Sequence, residues 1–172
     1  MEKMFSLAYL TVPGTHPADQ IEIAARCGYE GVSLRPISMK LPGEPDFRLA
    51  NPVIYQNVKS ALNRTGVKLL DIELARVGDG IDVSAYEADF EKAAELLESV
   101  EEELSADHRW NFRMGYACYY LNREKKAKHY FEKALEALPG DEDTLYFIKE
   151  CERCLSLPIS MKPFRQRVKE GW

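Results

Sequence analysis

Gly66-Val-Lys-Leu-Leu-Asp-Ile-Glu-Leu-Ala-Arg76 decides the fold of the first half of this chain. From Val67 to Leu74 it reads as a strand. Leu70, Ile72 and Leu74 alternate onto one face, and Leu69, Asp71 and Glu73 onto the other. Gly66 closes a helix expected over residues 53–64, where Ile54, Val58 and Leu62 recur at helical spacing. Further upstream, Gly28-Tyr-Glu-Gly-Val-Ser-Leu-Arg35 holds a second strand, with Val32 and Leu34 opposing Ser33 and Arg35, and Pro36 cuts it off. A loop follows through Pro42, Gly43 and Pro45. The chain opens on a β-rich run, Phe5 to Val12, ended by Pro13-Gly14. Thr15-His16-Pro17 then starts a helix, with proline suited to its first turn, and Cys27-Gly28 ends it. Downstream, Ser84-Ala-Tyr-Glu87 has the spacing of a capping box for a third helix. Residues 1–95 therefore read as three βα units, which calls for a small parallel sheet with crossover helices.

A sheet covered on both sides is apolar on both faces. Here one face turns polar toward the strand ends, the pattern expected where a barrel lumen opens into a site. Arg35, Glu73 and Arg76 lie at or just beyond the carboxyl ends of strands two and three. Glu73 is the candidate metal ligand or base, and Arg35 and Arg76 are candidates to hold a phosphate or carboxylate. A plainer reading has Arg35 and Glu73 neutralising each other across neighbouring strands.

The two quoted segments resemble the opening of xylose-isomerase-like TIM barrels, the sugar phosphate isomerase/epimerase group, over residues 4 to about 94. The resemblance implies isomerisation or epimerisation of a sugar assisted by a divalent metal, Mn or Mg. It carries Glu73 over as a catalytic residue and Arg35 and Arg76 as substrate-binding ones. The family's main metal carboxylates and histidine come from later strands, for which this chain has no counterpart. His16 lies in the first βα loop, and His108 and His129 lie in the second half. A complete barrel takes eight strands and ~250 residues, so three units leave a partial barrel with open sheet edges, through which self-association is possible.

From 96 to 172 every periodic segment is helical. Gly115, Ala127, Phe131, Ala134 and Pro139 have the spacing of five positions of the tetratricopeptide repeat, which this region resembles. Cys118 stands where that pattern prefers tyrosine. The spacing predicts one helix over 107–120, a turn at Asn122 and a second helix over 124–137. Asp141 is placed to cap a third helix through about Leu155, with Leu145, Ile148 and Glu152 near its inner face. Leu157-Pro158 breaks it. Pro163 opens a last segment with Phe164, Val168 and Trp172 on one helical face. The aromatic residues Trp110, Phe112, Tyr116, Tyr119, Tyr120, Tyr130 and Phe131 read mainly as core, with a peptide groove as the competing reading. The fold class is thus α/β plus all-α: a partial TIM-barrel region followed by a TPR-like helical hairpin and further helices.

Composition narrows the function. A net charge of −5 disfavours nucleic acid as a general partner, since backbone binding needs a basic field. No apolar run reaches the ~20 residues of a membrane span, and the N-terminus lacks a signal-peptide pattern, so no membrane partner and a cytoplasmic location are expected. Residues 87–103 are acidic, and Lys162, Arg165, Arg167 and Lys169 make the end basic; both read as solvated faces. Cys151-Glu-Arg-Cys154 reads as buried helix cysteines, because a structural zinc site takes four ligands. The leading expectation is a non-catalytic binding or scaffold protein with a protein or peptide partner on the helical region. The alternatives are a metal-dependent sugar isomerase or epimerase, and a chimera of two fragments joined within the continuous helix at Ala93-Ala94-Glu95-Leu96-Leu97.

Overall fold

A computed structural model of the chain describes residues 4–39, 42–73 and 82–158. Leu74, Arg76, Phe164, Val168, Trp172 and the basic residues from Lys162 to Lys169 lie outside the described residues. The protein is mixed α/β and mostly helical, with a three-stranded parallel sheet and seven α-helices among the described residues. It divides into two compact units between Val100 and Glu101.

In the first unit, β1 (Ser6–Ala8), α1 (Pro17–Arg26), β2 (Gly31–Leu34), α2 (Pro52–Thr65) and β3 (Lys68–Ile72) alternate, followed by α3 (Glu87–Glu98). The strand order is β1-β2-β3 and both pairings are parallel. Leu7 pairs with Val32, and Val32 with Leu69, with an irregularity after Val32 that sets Ser33 opposite Asp71. The helix ends follow local chemistry. Pro17 and Pro52 open α1 and α2, and the side chains of His16 and Asn51 accept the N–H of Ala18 and Val53 at 3.2 and 2.9 Å. Gly66 closes α2 in the left-handed region at φ 72°, which a Cβ would strain.

Three sequence expectations change in this unit. The first strand stops at Ala8, and Tyr9–Thr11 forms a 3-10 turn. The Tyr9 N–H goes to the Glu73 carboxylate at 3.1 Å, and the Gln20 amide donates to the Leu7 and Ser33 carbonyls, at 3.2 and 2.9 Å. The ladder is thereby diverted. Asp82, rather than Ser84, caps the segment before α3; its carboxylate accepts the Ser84 N–H over a 3-10 turn at Val83–Tyr86, and α3 starts at Glu87. Asp89, counted in the acidic run, is buried rather than solvated, as Arg48 and the Ala50 N–H bind its carboxylate.

β2 is buried along its whole length, Ser33 included. A Cβ on Gly31 would sit 2.4 Å from Leu70 Cδ1, so this strand start admits only glycine without displacing Leu70. Across α2 and α3, the Tyr55 hydroxyl donates to Glu95 at 2.8 Å; burial, with Glu95 beside it, pushes this phenol up to about 12.

The second unit holds α4 (Glu101–Leu104), α5 (His108–Tyr120), α6 (Glu124–Ala137) and α7 (Glu142–Ser156). Asp107 and Asp141 cap α5 and α7 through their side chains. Asn122, at φ 54°, makes the turn between α5 and α6. Helix α6 packs against both α5 and α7. A Cβ on Gly115 would lie 2.7 Å from Phe131 Cδ1, so the glycine is what lets α5 and α6 approach. The inner face of α7 differs from expectation: Thr144 and Cys151 are buried, while Leu145 and Glu152 are exposed and Ile148 is intermediate. Phase explains it, because Thr144, Phe147 and Cys151 share the stripe that meets α5 and α6.

Candidate functional site

The carboxyl ends of the strands bring Arg35 and Glu73 together. Arg35 follows β2 and Glu73 follows β3, and the Glu73 N–H continues the ladder to the Leu34 carbonyl at 2.7 Å. One Glu73 oxygen accepts from Arg35 Nη2 at 3.2 Å and the other from the Tyr9 N–H at 3.1 Å. Arg35 also faces Glu44 at 3.9 Å, and its guanidinium lies over the Tyr9 ring, 4.7 Å from the centroid. Ser38 donates to Glu44 at 3.0 Å. The Arg35 side chain is 5 % exposed, and its Nε has no hydrogen-bond partner among the described residues.

This cluster links all three strands through side chains, which suits a buried pair better than a catalytic base. A base or a metal ligand presents a carboxylate to its substrate or ion, and here both Glu73 oxygens are engaged by the protein. Mn or Mg takes about six oxygen ligands; among the described residues the strand ends bring Glu44 and Glu73 together with an arginine between them. The described residues do not fit a divalent ion at Glu73. Among the described residues no three His, Cys, Asp or Glu side chains converge on a point where a metal would sit. Glu44 is the member that strand-end reasoning missed, since nothing local distinguishes it from any loop carboxylate. A recess of about 380 Å³ lies at the opposite, amino end of the sheet, where Met4, Tyr29, Glu30, Gly66 and Lys68 line it.

The second unit offers a different surface. Trp110, Tyr130 and Phe131 are buried, as a core reading requires. Phe112, Tyr116, Tyr119 and Tyr120 are only half-buried. Phe147 of α7 joins them, with its ring centroid 5.9 Å from Phe112, 5.3 Å from Tyr116 and 5.4 Å from Tyr119. Tyr116 and Tyr120 lie 4.6 Å apart, and Tyr146 beside Phe147 is 59 % exposed. Rings spaced by three and four residues on α5 thus form a ladder that meets α7. Burial pushes the Tyr119 phenol up to about 12 and raises Tyr116 as well, so the hydroxyls stay protonated donors at neutral pH.

No family model, curated protein or solved structure matches the chain. Among the described residues no helix is long and apolar enough to cross a membrane.

Burial raises both thiols of the CxxC pair above their ordinary value. Cys151 is fully buried and Cys154 half-buried, and burial pushes the Cys151 thiol up to about 12, far from the thiolate a nucleophile needs. His108 Nε2 approaches Asp141 at 3.7 Å. Asp141 is held below the usual carboxylate range first by the Thr144 hydroxyl and amide, then by His108. A carboxylate lowered in the folded state adds stability above its unfolded value, about 3.9, and loses it as pH falls through the folded value. The second unit should therefore melt earlier as pH drops below about 4. In Asp141→Asn, which keeps the cap but not the charge, that slope should flatten. Equal slopes in thermal melts of the two proteins would refute the assignment.

Proposed function

We propose that the chain is a non-catalytic protein- or peptide-binding protein whose helical unit acts as a TPR-like module. In this reading the first unit is an incomplete, xylose-isomerase-like βα segment retained for structure. The observation that carries it is the half-buried aromatic ladder of α5 closed by Phe147 of α7. Such rings, already ordered by packing, lose little entropy on binding and bury large area, which is why Tyr and Trp dominate binding hot spots. The close α5–α6 approach at Gly115 and Phe131 supports the repeat-like reading. On the other unit, the engagement of both Glu73 oxygens by Arg35 and Tyr9 speaks against a metal-assisted isomerase.

A peptide selected on the full chain from a random displayed library tests this. Tyr120→Ala, a half-buried ladder position, should weaken that peptide by about 2 kcal/mol, roughly thirtyfold, with helicity retained. Glu73→Gln should leave it unchanged. Turnover of a ketose or ketose phosphate with Mn²⁺, lost in Glu73→Gln, would overturn the proposal in favour of the isomerase.

A further inference from the structure

We infer that His108 and Asp141 form a latch between the N-terminal ends of α5 and α7, which closes when the imidazole is protonated and steadies the neighbouring aromatic face. His108 opens α5 and Asp141 caps α7. Nε2 of the one stands 3.7 Å from Oδ2 of the other, beyond hydrogen-bond reach. That Nε2 is a buried atom with no hydrogen-bond partner among the described residues. A neutral imidazole presents either a donor or a lone pair there, whereas an imidazolium presents a donor and a charge. Protonation therefore turns a near miss into a charge-assisted hydrogen bond. Asp141 is ready to accept it, because the Thr144 hydroxyl and amide, and then His108, hold its carboxyl below the usual range. The surrounding charges do not oppose closure. On α7 the first turn adds Glu142 and Asp143, both exposed. On α6, Lys133 turns to Glu101 of α4, and Lys128 to Glu132 and Glu152. On α5 itself Arg109 is exposed, and Asp107 accepts the Trp110 N–H. The two helix N-termini disfavour a cation, which their capping carboxylates offset. His108 also stacks on Phe112, with ring centroids 6.3 Å apart. Phe112 in turn meets Phe131, Phe147 and Tyr116 at 5.6, 5.9 and 6.3 Å. Closing the latch thus fixes Phe112 and the spacing of α5 from α7, and a face held in place binds more tightly.

The effect on peptide binding rests on the proposed function; the latch itself does not. The full chain is compared with His108→Gln and with Asp141→Asn, which keeps the cap, at about pH 7.5 and about pH 5.5, either side of the ordinary imidazole value. Hydrogen exchange of the α5 and α7 amides reads the latch without any peptide. The two side chains are 23 % and 25 % exposed, so water screens the pair in part. On acidification, wild-type protection factors in both helices should rise about fivefold more than those of either variant, the upper range for a screened pair. Calorimetric titration of the library-selected peptide should show affinity rising over the same interval, by up to about fivefold, in the wild type alone. A wild-type protection response equal to that of the variants would overturn the latch. A protection response without any change in peptide affinity would overturn its action on the aromatic face. A selected peptide that binds away from α5 and α7 would overturn the proposed function instead, and the difference in protection would still support the latch.

Discussion

Asp89→Ala should destabilise the first unit by about 3 kcal/mol, the low end of what breaking a buried ion pair costs. Asp89 is 1 % exposed. One oxygen binds Arg48 Nε at 2.7 Å and also Arg48 Nη2, and the other accepts the Ala50 N–H at 3.0 Å. Arg48 in turn donates to the Ala85 carbonyl at 2.6 Å and lies near the Tyr86 ring. One carboxylate therefore fastens the connection before α2 to the start of α3. Alanine leaves the Ala50 amide without its acceptor and frees Arg48. Arg48 is 29 % exposed and can turn toward water, which keeps the loss near the lower bound. Asp89→Asn retains an acceptor for Ala50 and should cost about 1–2 kcal/mol. The described part of the first unit contains no tryptophan, so hydrogen exchange of the β2 and α3 amides is the suitable readout. Unchanged exchange at those amides would refute the clamp.

Phe131→Ala should destabilise the second unit by about 3–5 kcal/mol. Phe131 is fully buried and its ring stacks on Phe147 at 5.1 Å and meets Phe112 edge-on at 5.6 Å. It also lies against Gly115 of the facing helix. The reverse change exposes the same packing. In an open helix Gly→Ala gains about 1 kcal/mol of propensity. Here the added Cβ falls 2.7 Å from a fully buried ring, and overpacking costs about 1–3 kcal/mol. Gly115→Ala should therefore be net destabilising, and Phe131→Leu should relieve it in the double variant. Trp110, 1 % exposed, reports unfolding of this unit by fluorescence. A Gly115→Ala protein more stable than wild type would contradict the close approach.

Elements with strong local signals were legible. The helix expected over 124–137 is Glu124–Ala137, the one over 107–120 is His108–Tyr120, and Asp141 caps α7. A side-chain cap on α5 and α7, and the turn at Asn122 before α6, agree there with a 3.6-residue stripe. Arg35 and Glu73 were legible as neighbours because the strand register brings the ends of β2 and β3 together. What escaped depends on distant partners. β1 is cut short by a carboxylate 64 positions away. Gln20, Glu44 and Asp89 look like ordinary surface residues until a carbonyl, an arginine or an amide from another element reaches them. The spacing of Leu145, Ile148 and Glu152 points to an inner face of α7, yet the stripe is phased on Thr144 and Cys151, and Leu145 stays 37 % exposed.

The proposed function places binding on the α5–α7 aromatic face and not at the strand ends. Titrating the full chain with a library-selected peptide while following backbone amide NMR shifts tests it most directly. Shifts confined to α5 and α7 are expected, centred on Phe112, Tyr116, Tyr120 and Phe147. Shifts centred instead on Tyr9, Arg35 and Glu73 would contradict it.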